Sequence, residues 1–139
     1  MSVELKDYVF KKISYNANKK FNVKSTEIEF IPDINFKYYI DNNKNAFALR
    51  IDLKEGKVTD KTPFLLQVDL LGFFEYKGEY SEQLEIEAAS LLYPYLRNQI
   101  STVTLNSNEF PPYLLPIIDL GKEFSDGVNI SRVDSEIKK

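Results

Sequence analysis

The chain has 139 residues, of which 43% are hydrophobic and 28% are charged, a composition that suits one globular domain with its own core. It contains no cysteine and no histidine, which excludes disulfides, thiolate nucleophiles, Ser-His-Asp catalysis and ordinary zinc sites. The net charge of -3 gives no general attraction to nucleic acid or to an anionic membrane. Aromatic residues make up 14% of the chain, so the composition favours binding over catalysis.

The first two thirds of the chain show the alternation of apolar and polar residues that is typical of half-buried strands. The clearest run places Phe47, Leu49, Ile51 and Leu53 on one face. Short turns between the runs favour antiparallel pairing, with a bulge at Gly72. The pattern predicts strands at about residues 5–16, 33–41, 46–55 and 63–77, an extended crossover at 21–31, and Phe47, Phe64 and Phe74 in the core.

Helical signals begin at Ser81, which is a good N-cap residue followed by helix formers. Pro94 fits the first turn of a second helix, where its missing N–H costs nothing. In that helix Leu96, Ile100 and Val103 share one face, which we expect to pack on the sheet or between subunits.

Beyond the helices, three prolines make residues 109–118 an extended apolar connector. The organisation expected is one domain over residues 1–124, followed by a polar tail or short helix at 125–139. The N-terminus has no apolar stretch of signal-peptide length, and no run approaches the ~20 apolar residues that span a bilayer. We therefore expect a cytoplasmic protein that does not insert into membranes.

A search for reactive groups finds little. The glycines are scattered singly, so there is no phosphate-binding loop. The pairs Glu85 with Glu87 and Asp119 with Glu123 are able in principle to hold a divalent metal, but their spacing matches no known site, and we expect them on the solvated surface. The sequence predicts no catalytic residue, no metal and no cofactor. A metal-dependent enzyme that uses carboxylates is the weakest of the three functional hypotheses.

Several aromatic residues flank the predicted bulge, the helix start and the proline-rich connector, where burying all of them together is difficult. Tyrosine suits an open groove because its ring is apolar and its hydroxyl tolerates water. Stacking on RNA bases is a further use of such rings, but the acidic balance and the lack of a basic stripe argue against it. The residues expected to line a groove for extended apolar segments are Phe73, Tyr76, Tyr93, Tyr95, Phe110, Tyr113 and Leu115.

Two segments carry a family resemblance. Tyr93-Pro94-Tyr95-Leu96-Arg97 resembles the aromatic-Pro-Tyr-x-Arg stretch that opens the main helix of the SecB protein-export chaperone family. Phe110-Pro111-Pro112-Tyr113-Leu114-Leu115-Pro116 is similar to that family's Phe-Pro-x-Leu-x-Leu-x-Pro connector. Weaker matches lie at Thr62–Val68 with Gly72-Phe73-Phe74, and at Ile13–Ala17, so the resemblance covers about residues 8–124 in the same order.

The resemblance implies an α+β fold with a four-stranded antiparallel sheet, a long helix against it and the connector lying over the sheet. It implies a homo-oligomer, either a dimer or a dimer of dimers. It also implies an ATP-independent chaperone, a holdase that binds unfolded polypeptide clients in apolar grooves. Such proteins serve protein export or protect an antitoxin.

The sequence departs from the family at positions that present acidic residues to the SecA motor. By alignment these positions hold Lys12, Asn16 and Gln67, so charge complementarity to SecA is lost or reversed. This departure argues against SecA as a partner and favours an antitoxin as the client. The alternative hypothesis is a non-catalytic adaptor of the same fold that binds one specific protein partner.

Overall fold

A computed structural model describes residues 3–22, 29–41, 43–107, 113–115, 119–126 and 129–134. Four long strands come first, then a long helix, a short helix and a short strand. The elements in chain order are β1 (Val3–Ala17), β2 (Ile31–Asp41), β3 (Ala46–Lys57), β4 (Phe64–Tyr76), α1 (Glu82–Asn106), α2 (Leu120–Asp126) and β5 (Ile130–Asp134).

The strands form one mixed sheet in the order β1-β4-β3-β2-β5. The first four pair antiparallel, and their positions confirm the strands expected from the alternation of apolar residues. The fifth strand pairs parallel with the outer side of β2. The expected four-stranded antiparallel sheet is therefore corrected to a five-stranded mixed sheet, because the end of the chain returns to add a strand at one edge.

One face of this sheet carries the core. The alternating side chains of β3 and β4 that point to this face are almost fully buried, and Phe47, Phe64 and Phe74 are among them, as expected. Helix α1 packs across the same face through Leu92, Leu96 and other apolar residues. The opposite face holds only a small buried group, made of Ala48, Leu71 and Phe73 with Tyr39 against it.

Gly72 lies at a regular position in β4, not at the expected bulge. It pairs with Tyr8 on one side and Leu49 on the other without any shift of register. The bulges lie in the partner strand β1, which carries one extra residue between Leu5 and Asp7 and another between Phe10 and Lys12. A Cβ atom at Gly72 would lie 2.9 Å from the Leu92 side chain, so the glycine allows α1 to approach the sheet closely.

Pro94 lies inside a single 25-residue helix and does not begin a second one. Proline cannot donate the hydrogen bond that would reach back one turn, which normally weakens a helix interior. The residues on both sides of it, Leu92, Tyr93, Leu96 and Ile100, are all buried. Because both halves of α1 pack against the same sheet, tertiary contacts hold the helix together across the proline.

The crossover from β1 to β2 is attached to the turn between β3 and β4. Asn18 is buried, and its side-chain amide donates to the backbone oxygens of Thr59 at 3.1 Å and Thr62 at 2.8 Å. Further along, the Asn22 N–H donates to the Asp60 oxygen at 2.7 Å. These bonds fix the place where the chain leaves β1 and allow β1 to lie beside β4 rather than beside β2.

Residues expected to form a polar tail or short helix lie in regular structure where the chain is described. Helix α2 ends at Asp126, and β5 follows as Ile130–Asp134. The ring of Phe124 in α2 is buried and lies 6.0 Å from the ring of Tyr38 in β2. The C-terminal part of the chain is thus attached to the β2 side of the molecule.

Candidate functional site

Strand β1 presents an exposed row of apolar side chains on the face that also carries α1. Tyr8, Phe10, Ile13 and Tyr15 pair with Gly72, Leu70, Val68 and Leu66 of β4, whose side chains face the core. Unlike those partners, Tyr8 is 39% exposed and Ile13 is 45% exposed. We call Tyr8, Phe10, Ile13 and Tyr15, together with Tyr95 of α1, the β1 aromatic surface.

The two bulges explain how this row arises. A regular strand alternates faces every residue, yet Phe10 and Ile13 are three apart and share a face. The extra residue in the bulge between Phe10 and Lys12 absorbs one step of the alternation. The row from Tyr8 to Tyr15 lies opposite Gly72 to Leu66, which are six residues apart, so at a rise of about 3.3 Å per residue it runs for about 20 Å along the edge of the sheet.

Tyr95 joins β1 to the helix. Its ring lies 4.4 Å from the ring of Tyr8, centroid to centroid, and it is itself 39% exposed. Tyr8 in turn contacts Phe10 edge to face at 6.1 Å. The three rings form a continuous apolar patch that solvent reaches, with tyrosine hydroxyls at its rim. Such a patch is able to bind apolar or aromatic side chains without demanding one sequence.

A second aromatic group continues the surface at the other end of β1. The ring of Tyr15 lies 5.2 Å from that of Phe64, and Phe30 lies 4.9 Å from Phe64 and 4.8 Å from Tyr113. Tyr15, Phe30 and Tyr113 are each partly exposed. The Tyr113 N–H donates to the Thr104 hydroxyl of α1 at 2.8 Å, which attaches the connector to the helix. Burial raises the pKa of the Tyr113 hydroxyl.

The described part of the connector is held by a second bond to α1. The Arg97 guanidinium donates to the Leu115 backbone oxygen at 3.1 Å. Leu115 is buried in the core, whereas its neighbour Leu114 is 68% exposed. Residues 113–115 therefore form part of the wall beside the aromatic group and also contribute an exposed apolar side chain.

The residues expected to line a groove fall into different places. Tyr95 and Tyr113 lie on the two aromatic groups just described. Tyr76 and Tyr93 are buried between sheet and helix, and burial raises the pKa of Tyr93 to about 12. Phe73 is buried on the opposite face of the sheet, and Phe110 lies outside the described residues.

The residues expected to pack the helix lie where α1 meets the sheet. Leu96 and Ile100 are completely buried in the core, and Val103 is partly buried against it. In the single chain these side chains therefore contact the sheet.

The three positions compared with the SecA contacts share the outer face of β1 and β4. Lys12 pairs with Asp69, Asn16 pairs with Leu65, and Gln67 pairs with Ser14. Lys12 and Gln67 border one shallow polar depression, together with Asp52, Lys54 and Asp69. Burial raises the pKa of Asp69, while Arg50 at 3.0 Å opposes that rise. This face thus carries both signs of charge.

The expectation that Glu85 lies on the solvated surface is wrong, because this residue is part of a buried ion pair. Glu85 in the first turn of α1 is completely buried, and the Arg132 guanidinium of β5 donates to both of its carboxylate oxygens, at 2.9 and 2.8 Å from Nε. The Tyr80 hydroxyl also donates to Glu85, and burial raises the pKa of Tyr80. The neighbouring acidic residues Glu82 and Glu87 suggested a solvated helix surface, so the sequence gave no clear sign that Glu85 is buried.

Sequence reasoning did not assign Tyr8, Phe10, Ile13, Phe30 or Arg132 to any functional surface. The aromatic content of β1 was the available signal for the first three, but the bulges concealed which residues share a face. Among the residues that the structure describes, no group of three or more acidic side chains lies close enough together to hold a metal ion. Neither described helix combines the length and apolarity needed to cross a membrane.

A long helix lies across a mainly antiparallel sheet, with an aromatic edge strand beside it, and this arrangement defines a class of α+β protein. The family model described as preprotein translocase subunit SecB matches residues 2–129. The chain therefore belongs to the SecB family, as the resemblance indicated.

Individual relatives agree with this assignment. An uncharacterized protein of Methanocaldococcus jannaschii is 31% identical over 97% of this chain and 88% of its own length. The protein-export protein SecB of Magnetococcus marinus is 32% identical over 81% of this chain and 73% of its own. SecB of Ruegeria pomeroyi is 31% identical, but the match spans only 59% of its length.

Solved structures share the fold. The Mycobacterium tuberculosis SecB-like chaperone Rv1957, in complex with a peptide from the HigA1 antitoxin, superposes with a TM-score of 0.66 at 15% identity. The superposition covers 84% of this chain and 91% of that one. A Streptococcus agalactiae protein of unknown function gives a TM-score of 0.51 at 15% identity, covering 84% of this chain and 98% of that one.

Proposed function

We propose that this protein is an ATP-independent holdase that binds non-native polypeptides on the β1 aromatic surface and carries out no catalysis. The observation that supports this most directly is the contact between the exposed rings of Tyr8 and Tyr95, with exposed Ile13 farther along the same row. Solvent-exposed apolar side chains in a row mark an interaction site in a folded protein. Burying them against a client stabilises the complex by about 25 cal/mol per Å² of apolar area.

Membership of the SecB family supports this function, and so do several relatives that are named protein-export proteins. The structure of the M. tuberculosis SecB-like chaperone is a complex with an antitoxin peptide, which supports a polypeptide as the ligand here. Within the proposed site, Tyr95 and Tyr113 contact the client directly. Tyr76, Tyr93 and Leu115 form the buried support beneath it, since they lie in the core.

Suppression of aggregation tests the proposal. The purified chain, mixed at equal molar amounts with several unrelated denatured proteins, is expected to reduce their light scattering. The double variant Y8A/Y95A is expected to lose most of this effect while keeping the circular dichroism of the parent. V58A is a matched control, because Val58 is 45% exposed in the turn between β3 and β4, near the end of β1 that lies farther from Tyr8. If the parent chain suppresses nothing and binds no unfolded chain, the proposal is wrong.

The partners are part of the proposal. The mixed charge around Lys12, Asn16 and Gln67 supports a chaperone that works without SecA, with an antitoxin as its client, in the cytoplasm. Assembly as a dimer or a dimer of dimers is expected from the family. Sedimentation velocity measures the assembly, and a titration with purified SecA tests that contact: measurable binding would contradict this part.

An adaptor for one partner is the alternative function. It is favoured by the M. tuberculosis structure, in which a SecB-like chaperone is bound to a peptide of one particular antitoxin. The same aggregation assay separates the two. A holdase acts on several unrelated unfolded chains, whereas an adaptor binds one protein and leaves the others to aggregate.

A further inference from the structure

The edge of β2 is occupied by the chain's own C-terminal strand. Residues Ile130–Asp134 pair in parallel with Phe36–Ile40, and the Phe36 N–H donates to the Asn129 oxygen at 2.8 Å. Four of the five residues of β5 are exposed, including Val133. The strand therefore adds little to the core, and its attachment depends on backbone bonds, on the partly buried Ile130 and on one charged side chain.

That side chain is Arg132, which enters a pocket built by the rest of the molecule. Its guanidinium donates to Glu85 through Nε and, at 2.6 Å, through Nη2. The Tyr80 hydroxyl donates to the same carboxylate at 2.5 Å, and the Tyr38 hydroxyl donates to the Glu85 backbone oxygen at 2.8 Å. The pocket is thus fixed by β2, by the segment before α1 and by α1 itself.

Burial of the two charges is unequal. The Glu85 side chain is 1% exposed, whereas that of Arg132 is 45% exposed. A buried carboxylate without a partner is costly, and a guanidinium satisfies one with two parallel hydrogen bonds. Glu85 therefore needs a cation of this geometry, but nothing requires that the cation come from β5.

We propose that the β2 edge and the Glu85 pocket form a docking site for an extended, arginine-bearing segment of a client polypeptide, and that β5 is its resident occupant. This inference rests on the proposed function, because the segment that displaces β5 belongs to a client. Main-chain pairing with β2 supplies affinity for any extended chain, and the pocket supplies selectivity for arginine. Lysine lacks the planar fork that contacts both carboxylate oxygens.

A short peptide tests the site in the full-length protein. The probe is a fluorescent heptapeptide with the sequence of residues 129–135, Asn-Ile-Ser-Arg-Val-Asp-Ser, and its control has glutamine in place of arginine. R132Q weakens the resident strand and leaves the buried Glu85 without its partner, so we expect it to bind the arginine peptide about tenfold tighter than the parent chain does. Circular dichroism checks that R132Q still folds. In R132Q the glutamine peptide is expected to bind more weakly than the arginine peptide, because it offers no guanidinium to Glu85.

A second substitution tests the pocket. E85Q in the R132Q background is expected to abolish the preference for the arginine peptide, with circular dichroism as the check on folding. If that double variant does not fold, Y80F in the same background serves instead and is expected to reduce the preference. In the parent chain, adding the arginine peptide is expected to increase hydrogen exchange at Ile130–Asp134 while Phe36–Ile40 stay protected.

Two results would overturn the inference. One is equal binding of the arginine peptide to the parent chain and to R132Q. The other is that R132Q binds no peptide and forms a larger assembly than the parent chain does, which would mean that a second copy exchanges its β5 into the site. Either result leaves the aggregation assay unaffected, so failure here is distinguishable from failure of the proposed holdase function.

Discussion

The hydrogen that Gly72 carries in place of a side chain sets the distance between α1 and β4. An added Cβ would lie 2.9 and 3.0 Å from the two terminal methyl groups of Leu92 and 3.1 Å from the ring of Phe74. We expect G72A to lower the free energy of unfolding by about 1–3 kcal/mol, as overpacking of a core does. Urea denaturation measures the change.

The double variant G72A/L92A is the control for this interpretation. Leu92→Ala alone leaves a cavity, but together with G72A it removes the atoms that the new methyl group meets. The double variant is therefore expected to lose less unfolding free energy than the two single variants lose in sum. Strictly additive losses would show that the close contact with Leu92 is not the cause.

The buried tyrosines make stability sensitive to alkali. Burial raises the pKa of Tyr93 to about 12, and it also raises the pKa values of Tyr38 and Tyr80 above the ordinary value of 10.0. Because the folded state holds these protons more tightly, stability is fully present below pH 10 and is lost as the pH rises through the folded-state pKa values. Unfolding free energies are expected to stay level up to about pH 10 and to fall above it.

Y93F tests how much of this loss of stability at high pH comes from Tyr93. Phenylalanine keeps the ring but cannot ionise, so we expect a shallower decline with pH than in the parent chain. Absorbance at 295 nm follows the tyrosinates directly. An unchanged slope in Y93F would contradict the assignment of a raised pKa to Tyr93.

At the scale of elements, helix α1 contains one proline, Pro94, in its interior. Pro94 is exposed, and a proline in a helix interior costs about 3 kcal/mol relative to alanine. We expect P94A to raise the free energy of unfolding, by up to about that amount, because alanine restores a helical hydrogen bond. A neutral or destabilising result in thermal denaturation would mean that the proline is itself needed to fit α1 to the sheet.

Sequence patterns predicted the elements well where periodicity was strong. The alternation in β3 and β4 gave both the strands and their buried faces, and Ser81 gave the start of α1, where its hydroxyl accepts from the Leu84 N–H. The bulges in β1 leave no distinctive residue type, so the sharing of a face by Phe10 and Ile13 was not predictable. The same is true of β5, whose two apolar residues form no pattern.

The candidate site was predicted only in part, because local sequence patterns reveal some of its residues and not others. Tyr95 and Tyr113 were recognised from their place beside prolines, and the structure puts both on partly exposed aromatic groups. The pairing of Glu85 with Arg132 joins residues 47 positions apart in sequence. No local pattern encodes such a pair, because it depends on which edge of the sheet the chain end reaches.

For the molecule as a whole, the balance of charge predicts how client binding responds to salt. The net charge is -3 and the β1 aromatic surface is apolar, so long-range attraction contributes little. We expect the amount of client protected from aggregation to change less than about twofold between roughly 50 and 300 mM NaCl. A steep loss with salt would show that charged residues, and not the aromatic rings, hold the client.

The parallel pairing of β5 with β2 also predicts the order in which the elements fold. The strands β2, β3 and β4 are joined by short turns, whereas β5 must return to β2 across most of the chain. Closing so long a loop is slow, and during synthesis the C-terminal residues are the last to emerge. We expect a newly made chain to pass through a stage in which sheet and helix have formed while Glu85 still lacks its arginine. The final step of folding is then the filling of that one site.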